Sequence, residues 1–312
     1  MGKTYSSLLK YQVLAGAFAI LINLLFADVI YEFRFWILGL VILIIGMPHG
    51  ALDHIIAFKA YKVPKNSKTQ WIFYLSYLGV IVLYGIFWIF FPLLSFAFFL
   101  MMTLYHFGQA DAERFSFSGI SKSILLYSRG LTVVGLILFG SDPYYSSSII
   151  EEVTGFSLVN NVFAFIGPGY LTLFFVLLYP LCYLAIIAIK EPQLVTSWFT
   201  LDAVIVSLIF SLCEPIFAFS VYFGVWHAFN HSKTMMEFIS QYGQETSFIW
   251  FYKNTFLYSI ISYAGLGILY FILEAFGNQE LLVALLFILI SVLTLPHMFV
   301  VEKMYENFYS TE

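Results

Sequence analysis

Apolar runs of about 20 residues, separated by short polar or proline-containing breaks, recur along the whole chain. They fall at roughly 11–31, 35–58, 70–91, 93–112, 122–140, 168–189, 194–213, 215–238, 254–276 and 280–302. A run of about 20 apolar residues is what an α-helix needs to cross the hydrocarbon core of a bilayer. The pattern predicts an all-α fold: a polytopic transmembrane helix bundle of eight to ten spans, forming a single integral-membrane domain over residues 1–312. The range reflects two tight junctions, Phe91-Pro92-Leu93 and Cys213-Glu214-Pro215, where proline ends one helix and the next starts within a few residues. Each reads either as a hairpin or as a kink. The longest polar interval, Ser141 to Gly169, contains Tyr144, Tyr145, Glu151, Glu152 and an apolar stretch, and is expected to lie along the membrane interface. The first run follows Lys3 and Lys10 and is too long for a signal-peptide core, so it reads as an uncleaved span.

Composition sharpens this picture. Charged residues make up 10% of the chain and hydrophobic ones 61%, whereas soluble domains carry about 25% charged residues. The net charge of −4, with no cluster of basic residues interleaved with aromatics, excludes nucleic acid as an expected partner. Cys182 and Cys213 lie in apolar runs without CxxC spacing, so they read as small core residues rather than a disulfide or a thiolate metal site. With the N-terminus inside, Lys3, Lys10, Lys59, Lys62, Lys65, Lys68, Arg114, Lys122, Lys190, Lys233, Lys253 and Lys303 all fall at cytoplasmic ends, Arg34 alone falls outside, and Arg129 sits within a span. That asymmetry is the positive-inside signal, and it predicts cytoplasmic N- and C-termini; the expected location is the cell (inner) membrane, as a multi-pass protein.

All six histidines, His49, His54, His106, His227, His231 and His297, occur in apolar runs. On the expected topology, the spans that carry them all run from outside to inside. His49 lies 15 residues past Arg34, His106 13 past Leu93, His227 and His231 12 and 16 past Pro215, and His297 17 past Glu280. At about 1.5 Å per residue these depths differ by only ~7.5 Å, so five histidines are expected in one layer. His227 and His231 form HxxxH, which places both on one helix face, where they can share an ion. His49 and His54 are five residues apart, about 140° around a helix, and are not expected to share one. His49 is favoured because Pro48 and Gly50 flank it and Asp53 follows at i+4, where it could accept from the ring's other nitrogen. Gln109 and Asp111 follow His106 closely enough to orient a ligand ring. One intramembrane histidine often serves only as a hydrogen-bonded helix contact, but five at one depth point to a metal site, with neutral nitrogen ligands suited to iron, copper or zinc.

These histidines sit in four ordered motifs: Gly-Met-Pro-His-Gly-Ala-Leu-Asp at 46–53, Tyr-His-Phe-Gly-Gln-Ala-Asp at 105–111, Trp-His-Ala-Phe-Asn-His at 226–231 and Leu-Pro-His-Met at 295–298. The chain resembles, over nearly its whole length, the Brp/Blh family of membrane-bound β-carotene 15,15′-dioxygenases. The resemblance implies oxidative cleavage of β-carotene at its central double bond with O₂, giving two all-trans-retinal, at a ferrous ion (Fe²⁺) held by His49, His106, His227 and His231. It also implies membrane lipid as the substrate's solvent and a functional link to a rhodopsin that uses retinal. Asp53, Gln109, Asp111, Asn230 and His297 are then candidates to hydrogen-bond and orient the ligand rings, and Tyr105, Tyr222 and Trp226 to line the substrate pocket. His54 lies outside the family's ligand set, and His297 matches a motif with no assigned role. Two alternatives stand beside this reading: a non-enzymatic carotenoid- or retinal-binding membrane protein, and an integral-membrane desaturase or hydroxylase, which would carry HxxHH boxes rather than the single HxxxH found here.

Overall fold

The computed structural model describes residues 2–64, 67–112, 119–190, 198–275 and 282–309. Lys65, Arg114 and Glu280, which enter the orientation and depth arguments, lie outside them. Among the described residues there is no strand, and eight helices are long and apolar enough to cross a membrane. The chain is thus an all-helical, polytopic bundle. Two of the ten expected segments are shorter: the seventh is the 15-residue helix α10 (Trp198–Leu212), and the eighth is a helical run divided into three pieces, described below.

By their internal contacts the residues form two compact units, Met1–Val41 with Thr103–His227, and Ile42–Met102 with Ala228–Glu312. The first contains α1 (Gly2–Leu25), α2 (Ala27–Val41), the second half of α6 (Pro92–Ala112), α7 (Gly119–Phe139), α8 (Pro143–Thr154), α9 (Pro168–Lys190), α10 and α11 (Pro215–Val221). The break between its first two helices falls at Phe26, not after Tyr31 as the hydropathy pattern suggests. Backbone hydrogen bonds carry across it, from Phe26 N–H to Ile22 O and from Ile30 N–H to Phe26 O. Arg34 therefore lies inside α2, where it pairs with Glu214 at 3.5 Å and sits over the Tyr31 ring, so a charge that reads as a loop is accommodated in a helix.

Close backbone approaches position this first unit. A Cβ on Gly130 would lie 1.9 Å from Leu104 O, and one on Gly108 2.1 Å from Leu126 O, so α6 and α7 touch main chain to main chain on either side of His106. Such contacts need glycine at the crossing. In α9, Pro180 has no N–H, and one residue before it the Thr132 hydroxyl enters the ladder, accepting from Tyr179 N–H and donating to Phe175 O at 3.1 Å each. Asn23 spans the Cys213 junction, donating to Leu212 O and accepting from Glu214 N–H. The chain folds back here, since the Phe210 and Tyr222 rings lie 5.5 Å apart. The polar interval after Ser141 forms α8, an amphipathic helix started by Asp142, whose side chain accepts from Tyr145 N–H, and ended by Gly155 at φ 73°.

The second unit contains a π-helical turn (Ile42–Gly46), α3 (Met47–Ala51), α4 (Asp53–Ala60), α5 (Ser67–Phe90), the first half of α6, α12 (Phe229–Ser240), α13 (Phe248–Ala275) and α14 (Leu282–Tyr309). Its core brings together Leu52, Ile56 and Ala57 of the 47–60 segment, Met235 and Ile239 of α12, Phe251 of α13, and Val300, Val301 and Met304 of α14. The Phe91-Pro92 junction is a hairpin: Tyr84 OH donates to Ser95 O at 2.9 Å, although 11 residues of straight helix would separate them by about 16 Å. Trp88 Nε1–H donates to Ser291 Oγ, tying α5 to α14.

Candidate metal centre

Two π-helical turns adjoin histidine motifs. One, Ile42–Gly46, ends three residues before His49; the other, Tyr222–Ala228, contains His227. A π turn widens the helix by one residue per turn and leaves its carbonyls poorly matched, so such turns need outside donors and occur often at functional sites. Both receive them from another helix of the same unit. Gln12 of α1 donates to Val225 O at 2.8 Å. Tyr252 of α13 donates to Ile44 O at 3.1 Å and Tyr263 donates to Leu43 O.

In the second unit His49, His231 and His297 form a triangle. Their ring centroids are 5.2 Å (His49–His297), 5.3 Å (His231–His297) and 6.0 Å (His49–His231) apart, each pair edge to face. All three are buried. Imidazoles on one ion, with nitrogens about 2.1 Å from it, place ring centroids ~3.2 Å from the ion and ~5.2 Å from each other at a tetrahedral angle. The separations of His297 from His49 and from His231 match that distance, the 6.0 Å between His49 and His231 is wider, and the all-nitrogen donor set suits a transition-metal ion. His49 Nδ1–H donates to Gly46 O, which leaves the lone pair of the neutral ring on Nε2. The Tyr305 ring lies 6.2 Å from His231.

In the first unit His106 and His227 are both buried and lie 4.8 Å apart, a separation in the same range. Aromatic rings fix the second of them: Phe223 stacks on His227 at 5.5 Å and Phe107 meets it edge-on at 4.6 Å. Phe107 also contacts Tyr222, which lies near-parallel to Trp226, so these two pocket candidates are packed in the aromatic layer beside His227 and are 1% exposed. Trp226 Nε1–H donates to Asp202 Oδ1, and Asp202 Oδ2 pairs with Arg129, whose guanidinium lies over Tyr179. Gln109 donates to the Tyr105 hydroxyl at 3.5 Å. Asn230, on α12 beside His231, is buried, and its carbonyl accepts from Thr234. Asp111 falls in the last turn of α6, and its side chain lies outside the described residues.

One pairing differs from the sequence expectation. Asp53 does not accept from His49; its carboxylate accepts from His297 Nδ1–H, at 2.8 and 2.9 Å to its two oxygens, and from the Tyr77 hydroxyl at 2.8 Å. His49 Nδ1 is committed instead to Gly46 O, so that nitrogen is not offered to Asp53, while the backbone at Leu52, between α3 and α4, stays right-handed helical. His54 takes no part in either histidine group: Nδ1 bonds Ala51 O at 3.0 Å and the ring packs on Tyr258 and Phe58. Asp202, Tyr77, Phe107 and Phe223 are absent from the sequence-derived set. Of these, Asp202 carried a readable signal, an acid within an apolar span, and Phe223 stands one helical turn before His227.

A family model described as beta-carotene 15,15′-dioxygenase matches residues 40–305. A protein of that name from the uncultured marine bacterium 66A03 is 25% identical over 272 residues, covering 86% of this chain and 92% of its own. No solved structure matches. The match runs through all four histidine motifs and both π turns, and the chain belongs to the beta-carotene 15,15′-dioxygenase family.

Proposed function

We propose that this protein cleaves β-carotene at its 15,15′ double bond with O₂ in the cell membrane, giving two all-trans-retinal. The observation that carries the reading is a set of buried histidines, in two close groups, within a lipid-embedded helical chain of this family. In the reaction one carbon–carbon double bond breaks and each half gains one oxygen atom, so O₂ supplies both carbonyl oxygens and no further reductant is needed. His49, His106, His227 and His231 are proposed to hold a ferrous ion, whose role when bound is to engage and reduce O₂. Neutral imidazoles leave the ion its full positive charge, and their buried positions keep bulk water from it. Phe107 and Phe223 lie against His227, backed by the packed rings of Tyr222 and Trp226, an aromatic layer suited to hold a rigid polyene beside the histidines. Because the histidine depths fall toward the cytoplasmic side, a centrally cut substrate is proposed to lie tilted or nearly parallel to the membrane.

Expression in cells that make β-carotene, followed by pigment extraction, tests this. Retinal accumulates with the wild type and not with His231→Ala. Unchanged orange pigment with well-expressed wild type contradicts the reading and favours carotenoid binding without cleavage.

A further inference from the structure

Asp53 is 3% exposed in the second unit, on a helix run otherwise apolar enough to cross the membrane. Among the described residues no lysine or arginine pairs with it; its partners are Tyr77 OH and His297 Nδ1–H. A buried carboxylate is costly without a compensating positive charge; the Tyr77 phenol supplies none, and the His297 ring supplies one when its far nitrogen carries a cation, a proton or a metal ion. A carboxylate on one ring nitrogen fixes the tautomer, aims the lone pair of the other, and raises its basicity, which is how orienting partners serve metal-bound histidines.

We propose that His297 is itself a metal ligand, together with His49 and His231, and that Asp53 and Tyr77 are positioning residues that hold its ring in the ligating orientation. The inference rests on the metal-centre reading above and adds a ligand to it. Three observations converge. His297 occupies one corner of the ring triangle, nearer to both His49 and His231 than those two are to each other. Its Nδ1 is committed as a donor to both carboxylate oxygens, so the neutral ring presents Nε2 as its lone pair. The relay is anchored on three separate helices: Tyr77 on α5, Asp53 at the start of α4, and His297 after Pro296 in α14. The packing of Ile56 and Ala57 against Val300 and Val301 fixes two of these together.

Cobalt(II) titration of the purified, metal-free full-length protein in detergent tests the proposal, with the visible d–d spectrum and the dissociation constant as readouts and the thermal midpoint of the metal-free protein as the control for folding. The wild type is expected to bind one Co²⁺ per chain. Asp53→Asn weakens binding about 10–100-fold, His297→Ala weakens it at least as much and changes the d–d spectrum, and Tyr77→Phe gives a smaller loss. The metal-free Asp53→Asn and Tyr77→Phe proteins still unfold cooperatively, with midpoints lowered by no more than the loss of a buried hydrogen bond explains, whereas a merely structural role for the relay would lower the midpoint and leave the affinity and d–d spectrum of bound Co²⁺ unchanged. If His297→Ala does not fold, the other two variants decide. Wild-type affinity and spectrum in the folded His297→Ala or Asp53→Asn protein overturn the proposal while leaving the metal centre standing. Absence of Co²⁺ binding by the wild type overturns both.

Discussion

The two units solve the same problem differently. Each buries an aspartate near its histidines: Asp202 in the first, Asp53 in the second. Asp202 meets a full positive charge, Arg129 at 3.3 Å, and its other oxygen holds Trp226, the neighbour of His227. Asp53 meets only a tyrosine and a histidine, and the histidine is one of the ring triangle. The first arrangement is electrically complete within the protein and acts on the backbone that carries a ligand candidate. The second is completed only by charge on His297, and acts on the ring directly. A buried carboxylate whose charge is already matched serves architecture, whereas one left to be matched through an imidazole is suited to metal binding.

This contrast can be broken by substitution. The largest effect is expected for Asp202→Ala, which strands Arg129 without its partner; removal of one member of a buried pair costs about 3–5 kcal/mol, so the thermal midpoint in detergent should fall sharply, whereas Asp53→Asn should lower it by no more than the loss of a buried hydrogen bond explains while weakening metal binding. Equal loss of midpoint in both would erase the distinction. Next, Gly130→Ala places a methyl against the Leu104 main chain; overpacking of this kind costs about 1–3 kcal/mol, and retinal yield should fall further than stability because α6 must shift at His106. Gln12→Leu and Tyr252→Phe each remove one donor to a π-turn carbonyl, an expected loss of about 1 kcal/mol apiece, readable by unfolding. Smallest of all, His54→Gln should leave iron content per chain at the wild-type value; a halved content would place His54 among the ligands.

The sequence disclosed most of the helices, because runs of apolar residues record the membrane directly; the expectation that His227 and His231 share a face rests on ordinary α-helical spacing, and His227 lies in a π turn that departs from it. Other features were hidden for physical reasons. The π turns at 42–46 and 222–228 each contain a glycine, Gly46 and Gly224, but so do ordinary helices such as α5, with Gly79 and Gly85, so glycine does not mark them; the turns alter which side chains share a face. Helix spacing puts Asp53 one turn after His49, but the His49 ring nitrogen is taken by Gly46 O, and the histidine that bonds Asp53 lies 244 residues away, beyond any local pattern. Arg34 misled in the opposite sense: a lone charge marks a loop by composition, yet its ion pair with Glu214 and its stacking on Tyr31 let it remain within α2. Asp202 was legible in principle, as an acid in an apolar span, but its partners Arg129 and Trp226 come from elsewhere in the chain.

Central cleavage by dioxygen is tested most directly with purified, ferrous-loaded protein and β-carotene under ¹⁸O₂. The account predicts two retinal molecules per carotene consumed, each carrying one ¹⁸O atom when extracted before exchange with water. Aldehydes of unequal length, or carotene left intact beside iron-replete protein, would contradict it.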